Sequence, residues 1–170
     1  KYGGHAMESE ELKAQVMEDI VLLQLVGVKV VLVHGGGPEI NDTLDAMGVK
    51  TEFVNGLRVT DAETAQVVQM VLAGKVGKSL VNLIETTGGK AMGICGIDGR
   101  MVEAKSKSSA LGYVGDITHV NVEPIKDLLE KGYIPVVSSH GCDAEGNVYN
   151  INADTMAAHI SGAMGAECLI

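Results

Sequence analysis

Tryptophan is missing from these 170 residues, and there are only one Phe and four Tyr. Stacking nucleobases on aromatic platforms is therefore a poor fit. Cysteine is equally sparse. Cys95, Cys142 and Cys168 are odd in number and scattered, which speaks against a disulfide framework and points to a reducing cytoplasm. Basic residues are outnumbered, with 13 Lys and Arg against 22 Asp and Glu and a formal net charge of −9. Such a surface repels phosphate backbones, so no nucleic acid is expected as a partner. An anionic small molecule remains open, because a site makes its own local field. No apolar run reads as a membrane span and no segment as a signal peptide, so no membrane is expected either.

What is present is glycine. There are 22, where average usage would give about 12. That excess points to tight turns or to places where backbone approaches a ligand. Hydrophobic residues make up 46%, and the length suits one domain, or most of one, with a core that needs no staples.

Leu12, Val16, Ile20 and Leu23 recur at helical spacing and predict a helix over Glu8–Val26, with Gly27 as its stop. The β-branched run Val28–Val33 reads as a buried parallel strand. His34-Gly35-Gly36-Gly37-Pro38 breaks it, and Pro38 fits the first turn of a helix that Gly48 ends. Asn55-Gly56 lies between two β-prone runs, a strong hairpin signal. Thr60 with Glu63 is a candidate capping box for a long helix that runs past Ile84 to Gly88-Gly89. Strands are expected over Ala91–Ile97, Tyr133–Ser138 and from Glu167, helices over Pro124–Lys131 and Asp154–Met164, and a turn between two arms over Asp143–Tyr149. Lys105–Gly112 reads as a loop. Alternating strands and helices predict an α/β fold with a mainly parallel sheet and helices on both faces.

Four segments can carry chemistry. Three successive glycines, Gly35, Gly36 and Gly37, between strand and helix let backbone N–H groups converge beside a helix N-terminus, which makes an anion site. Lys1 beside Gly3 and Gly4 can hold a phosphoryl group as a point charge. Arg58, near a hairpin tip, can grip a carboxylate bidentately or be an ordinary surface residue. Asn150, Asn152 and Asp154 lie at a strand-to-helix junction, as ligand groups or as plain helix caps. Two other patterns fail. Gly74–Ser79 resembles a P-loop only in its Gly-Lys-Ser ending and lies inside a helix, and the spacing of Gly93, Gly96 and Gly99 is wrong for a dinucleotide fingerprint. No histidine or cysteine set has metal-site spacing, so no metal ligands are expected from this chain.

Taken in order, Lys1-Tyr2-Gly3-Gly4, His34-Gly35-Gly36-Gly37-Pro38, Asn55–Thr60, Ile134–Ser139 and Asn150–Asp154 resemble the amino-acid kinase family over essentially the whole chain. The Asn-Gly-Leu-Arg-Val-Thr run is similar to those members that phosphorylate the side-chain carboxylate of N-acetyl-L-glutamate with ATP and Mg²⁺, on the route to arginine or ornithine. The resemblance implies a three-layer αβα sandwich with a mainly parallel open sheet, here truncated. It implies that Lys1 stabilises the transferring phosphoryl group and that Asp154 organises Lys1 and a second lysine. Gly3, Gly4, Gly35 and Gly36 would serve phosphate, Gly36 and Gly37 the substrate, and Arg58 and Asn150 the substrate's α-carboxylate. The Asn55–Thr60 hairpin would act as part of a lid.

The family also has an apolar strand leading into the Lys and a C-terminal part holding most of the ATP site. Neither is among these 170 residues. The expectation is therefore an N-terminal, substrate-binding lobe over residues 1–170, without the nucleotide-binding lobe and inactive alone. The alternatives are a family member acting on carbamate, glutamate, aspartate or a nucleoside monophosphate, and a non-catalytic ligand-binding module. A homodimer or larger homo-oligomer is implied by the resemblance. Nothing in the residues speaks for or against arginine inhibition or a PII-type regulator.

Overall fold

The computed structural model describes residues 1–3, 7 and 9–170. A three-stranded parallel sheet lies at its centre, in the order β1 (Leu32–His34), β7 (Ile134–Ser138), β4 (Ala91–Cys95). Tyr2 bridges to His34 in the parallel sense, and its N–H donates to the Val33 carbonyl at 2.8 Å. The chain start is thereby hung on the edge of β1.

Side chains alternate across these strands, as the pleat requires. Leu32, Ile134 and Val136 enter one core together with Met17, Leu44, Leu72, Leu80 and Ile84. Val33 and Val137 enter a second core with Met101, Ile125, Ile151, Met156 and Ile160. The first core is covered by α1 (Glu10–Leu25), α2 (Gly37–Ala46), α3 (Ala62–Gln69) and α4 (Gly77–Thr86), and the second by α5 (Glu123–Glu130) and α6 (Ala153–Met164). This is the expected αβα layering. Each fully buried Leu or Ile in such a core contributes roughly 1.5–3 kcal/mol.

The local punctuation follows the expected chemistry. Gly27 and Gly48 both take positive φ where their helices stop, at 93° and 73°. Pro38 lies in the first turn of α2. Asn55 and Gly56, at φ 51° and 79°, turn the hairpin of β2 (Phe53–Val54) and β3 (Leu57–Arg58). β8 (His140–Cys142) and β9 (Val148–Asn150) form the second pair of arms.

Several expectations need correction. The strand over Val28–Val33 shrinks to Leu32–His34, and no strand forms over Glu167–Ile170. Asp61, not Thr60, caps α3, since its carboxylate accepts the Thr64 N–H at 2.8 Å while the Thr60 hydroxyl is spent on the Arg58 carbonyl. The long helix is not uniformly α: Met70–Val76 is π-helical. It is also long and apolar enough, over Ala62–Thr86, to cross a membrane by length and composition. However, Val67, Val68, Val71, Leu72, Val76, Leu80 and Ile84 are all buried in the first core, so the apolar content is accounted for by packing. Finally, part of the Lys105–Gly112 loop belongs to β5 (Val102–Ser106), which pairs with β6 (Gly115–Val120). These strands join β8 and β9 in a four-stranded mixed sheet, ordered β6-β5-β8-β9.

Candidate functional site

β1 and β7 run parallel, so their C-terminal ends release the chain at the same edge of the sheet. In open α/β sheets that edge is where ligands bind. Here it opens into a cleft of about 220 Å³. Lys1, Gly3, Gly35, Gly36, Gly37, Arg58 and Asn150 all line it. Segments distant in sequence are thus brought to one place. Gly4 lies outside the described residues.

The glycine loop follows β1 directly. Gly36 caps α2 at φ 172° and ψ 44°, and no side chain caps that helix. Its first amides are therefore left for a ligand, at the positive end of the helix dipole. A Cβ on Gly36 would lie 2.9 Å from a Leu72 methyl and 3.0 Å from a Val76 methyl, both on the π-helical segment. Gly35 is less constrained, with Ala153 Cβ 3.4 Å away. A Cβ on Gly37 would meet nothing within 4 Å, so there the bare backbone is not required by packing.

Arg58 is not a surface residue. It is 7% exposed. Its Nη2 donates to Asn41 Oδ1 at 2.7 Å and, at the limit of bonding, to the Gly37 carbonyl at 3.5 Å. The Phe53 ring centroid lies 4.8 Å from its Cζ. Nη1 is buried without a partner. Burial pulls the pKa of the guanidinium down, though the group stays charged at neutral pH. A buried guanidinium with one nitrogen unpaired carries a desolvation cost that a further acceptor would relieve.

Asn150 ends β9, and its Nδ2 donates to the Thr60 hydroxyl at 3.4 Å. Its backbone N–H donates to the Tyr113 carbonyl at 2.8 Å. Lys1 Nζ pairs with Asp154 Oδ1 at 3.1 Å and passes close over Gly3, where a Cβ would lie 2.8 Å from that Nζ. Asp154 is in the first turn of α6, capped instead by Asn152, whose Oδ1 accepts the Thr155 N–H at 3.0 Å. Asn152 therefore takes the bland capping role, which releases Asp154 for Lys1.

Sequence reading missed Asn41 and Phe53, which hold the guanidinium, and Ser139, which lines the cleft beyond β7. Asn41 lies at an ordinary polar position of α2, and nothing in its sequence context marks it. Among the described residues, no group of three or more His, Cys, Asp and Glu is placed to hold a metal ion.

Comparison with known proteins agrees with this geometry. Acetylglutamate kinase of Brachyspira hyodysenteriae is 54% identical over 172 residues, matching all of this chain and 60% of its own length. The same enzyme of a Synechococcus species is 56% identical over 171 residues, with 57% of its length matched. The chain thus spans about 60% of the curated relatives it matches. Among solved structures, the smu.665 protein of Streptococcus mutans superposes with a TM-score of 0.85 at 32% identity, over 92% of this chain and 66% of that one. The carbamate kinase of Giardia shares the fold, with a TM-score of 0.61 at 12% identity, over 97% of this chain and 64% of that one. The sequence profile of the amino acid kinase family matches residues 1–170. With its glycine loop, Lys1 and Arg58 gathered at one end of a parallel sheet, the chain belongs to the amino acid kinase family.

Proposed function

We propose that this chain is the acetylglutamate-binding part of an acetylglutamate kinase. The reaction would be ATP-dependent phosphorylation of the side-chain carboxylate of N-acetyl-L-glutamate to an acyl phosphate, a step toward arginine or ornithine. The observation that carries the reading is Arg58, a buried guanidinium whose Nη1 has no partner in a cleft also lined by Asn150 and the glycine loop. Arg58 and Asn150 would take the α-carboxylate. Ile40, Leu72 and Phe53, which line the same cleft, offer apolar contact to an acyl methyl group.

The chemistry suits this inventory. The nucleophile is already a carboxylate, so no general base is needed. The barrier is then lowered by alignment and by neutralising charge as two anions approach. Lys1, steadied by Asp154, would face the phosphoryl group, with Gly3, Gly35 and Gly36 giving backbone donors. ATP enters as a co-substrate carrying Mg²⁺. Most of its site, and the second lysine, would lie in the part of the relatives' length that this chain does not span.

Isothermal titration tests the reading. N-acetyl-L-glutamate is expected to bind this chain, with glutamate, aspartate, carbamate and nucleoside monophosphates much weaker. Binding that favours one of those competitors would overturn the substrate assignment. In a coupled ADP assay the 170 residues alone are expected to show no turnover. Robust turnover would overturn the division of labour.

A further inference from the structure

His34 is fully buried at the end of β1, next to the glycine loop. Its Nδ1 lies 2.9 Å from the Gly35 carbonyl oxygen. A carbonyl only accepts, so Nδ1 must carry the proton. That fixes the tautomer and leaves Nε2 a bare acceptor, and Nε2 indeed has no partner. A buried acceptor left unpaired is costly, so the ring is an expensive choice for packing alone. Its surroundings hold it in place. Gly77 gives it room, since a Cβ there would lie 3.3 Å from Nε2 and 2.9 Å from the Leu72 carbonyl. Leu72 and Val76 support Gly36 from beneath.

Gly35 C=O and Gly36 N–H share one peptide plane, and in a trans peptide they point in opposite directions. Drawing the carbonyl inward therefore turns the Gly36 N–H outward, and Gly36 lines the cleft. We propose that His34 is a positioning residue: its Nδ1–H fixes the Gly35–Gly36 peptide so that the Gly36 amide faces the bound anion. This rests on the reading that the cleft takes N-acetyl-L-glutamate.

Two substitutions separate positioning from packing. An Asn side chain places its amide nitrogen where His has Nδ1, whereas Gln places it where His has Nε2. His34→Asn is expected to keep N-acetyl-L-glutamate affinity within about twofold, and His34→Gln to lose about tenfold, the effect of one hydrogen bond. In ligand-free protein, the Gly36 amide resonance should stay near its wild-type position in His34→Asn and move in His34→Gln. If both variants change affinity and resonance alike, or neither does, the proposal is overturned. If wild-type protein fails to bind N-acetyl-L-glutamate, the functional reading falls, while the free-protein resonances still decide the role of His34. Should neither variant fold, nitrogen couplings of the wild-type imidazole decide it: a protonated Nδ1 upholds the proposal and a protonated Nε2 overturns it.

Discussion

The two walls of the cleft are built differently. On one side Arg58 is 7% exposed, tied to Asn41 and laid against Phe53. On the other, Lys1 lines the cleft and pairs with Asp154, which does not line it, the two side chains being 26% and 72% exposed. The first wall is preorganised, so the carboxylate of the proposed substrate would meet a guanidinium whose ordering cost has already been met by the fold. The second is partly solvated through Asp154, and a pair of that kind is weak, so in the proposed reaction Lys1 would exchange Asp154 for a phosphoryl group at little cost. Under the proposed function, recognition would fall to the buried wall and charge neutralisation to the open one.

The largest effect is expected from breaking the buried wall. Arg58→Ala should weaken N-acetyl-L-glutamate binding by about 100-fold, since hydrogen bonds to charged groups are each worth about 1.5–3 kcal/mol. Titration calorimetry of the folded variant measures it. Arg58→Lys keeps the charge but not the planar fork and should recover only part of the loss. Equal affinities of Arg58→Ala and wild type would show that the two walls do not divide the work in this way.

How much of this was legible in the residues depended on the range of the interaction. The Asn55-Gly56 hairpin was legible because its positive φ values are a local demand of those two residues. The glycine loop was legible because strand, glycines and Pro38 follow one another directly. The burial of Arg58 was not, because it depends on Asn41 in another element and on the cross-strand neighbour Phe53. β5 and β6 were missed for a related reason. Lys105, Ser106, Asp116 and His119 interrupt their apolar pattern, and pairing with β8 supplies what the local sequence lacks. The choice between Thr60 and Asp61 as cap was likewise settled by a tertiary demand, since the Thr60 hydroxyl bonds the Arg58 carbonyl and accepts from Asn150.

The glycine loop lines the same cleft, and its second and third members should respond differently. Gly36→Ala would force a methyl against Leu72 and Val76 at 2.9 and 3.0 Å. Overpacking of this kind should cost about 1–3 kcal/mol of stability, read from urea midpoints. Gly37→Ala meets nothing within 4 Å and should stay within about 0.5 kcal/mol of wild type. Equal costs would mean that the π-helical floor yields and does not define the loop.

Acid should weaken the fold at the buried histidines of β1 and β8. Burial, with the neighbouring His34, pulls the His140 pKa down to about 4, and Asp98 opposes the shift only in part. His34 is lowered too, chiefly by burial. The unfolded chain then binds protons more readily than the folded one, so stability is retained above the ordinary histidine range and falls as pH drops toward 4. From pH 7 to pH 5, His140 alone should remove about 2 kcal/mol, at 1.36 kcal/mol per pKa unit below about 6.5. Urea unfolding at the two pH values checks this. His140→Leu should show a smaller drop, and an identical drop would exclude His140 as the source.

The smallest effect on stability belongs to the open wall. The Lys1–Asp154 contact is 3.1 Å long, but the Asp154 side chain is 72% exposed. Water screens such a pair, and exposed pairs contribute about 0–1 kcal/mol. Asp154 is also not the cap of α6, because Asn152 accepts the Thr155 N–H. Asp154→Asn should therefore cost less than about 0.5 kcal/mol in urea unfolding and leave N-acetyl-L-glutamate binding unchanged. In a protein that also carries the remaining length of its relatives, the same variant should lower kcat with little change in KM for N-acetyl-L-glutamate. A stability loss of about 2 kcal/mol instead, of the kind that follows breaking a buried network, would make the second wall as structural as the first and remove the freedom that the proposed role of Lys1 requires.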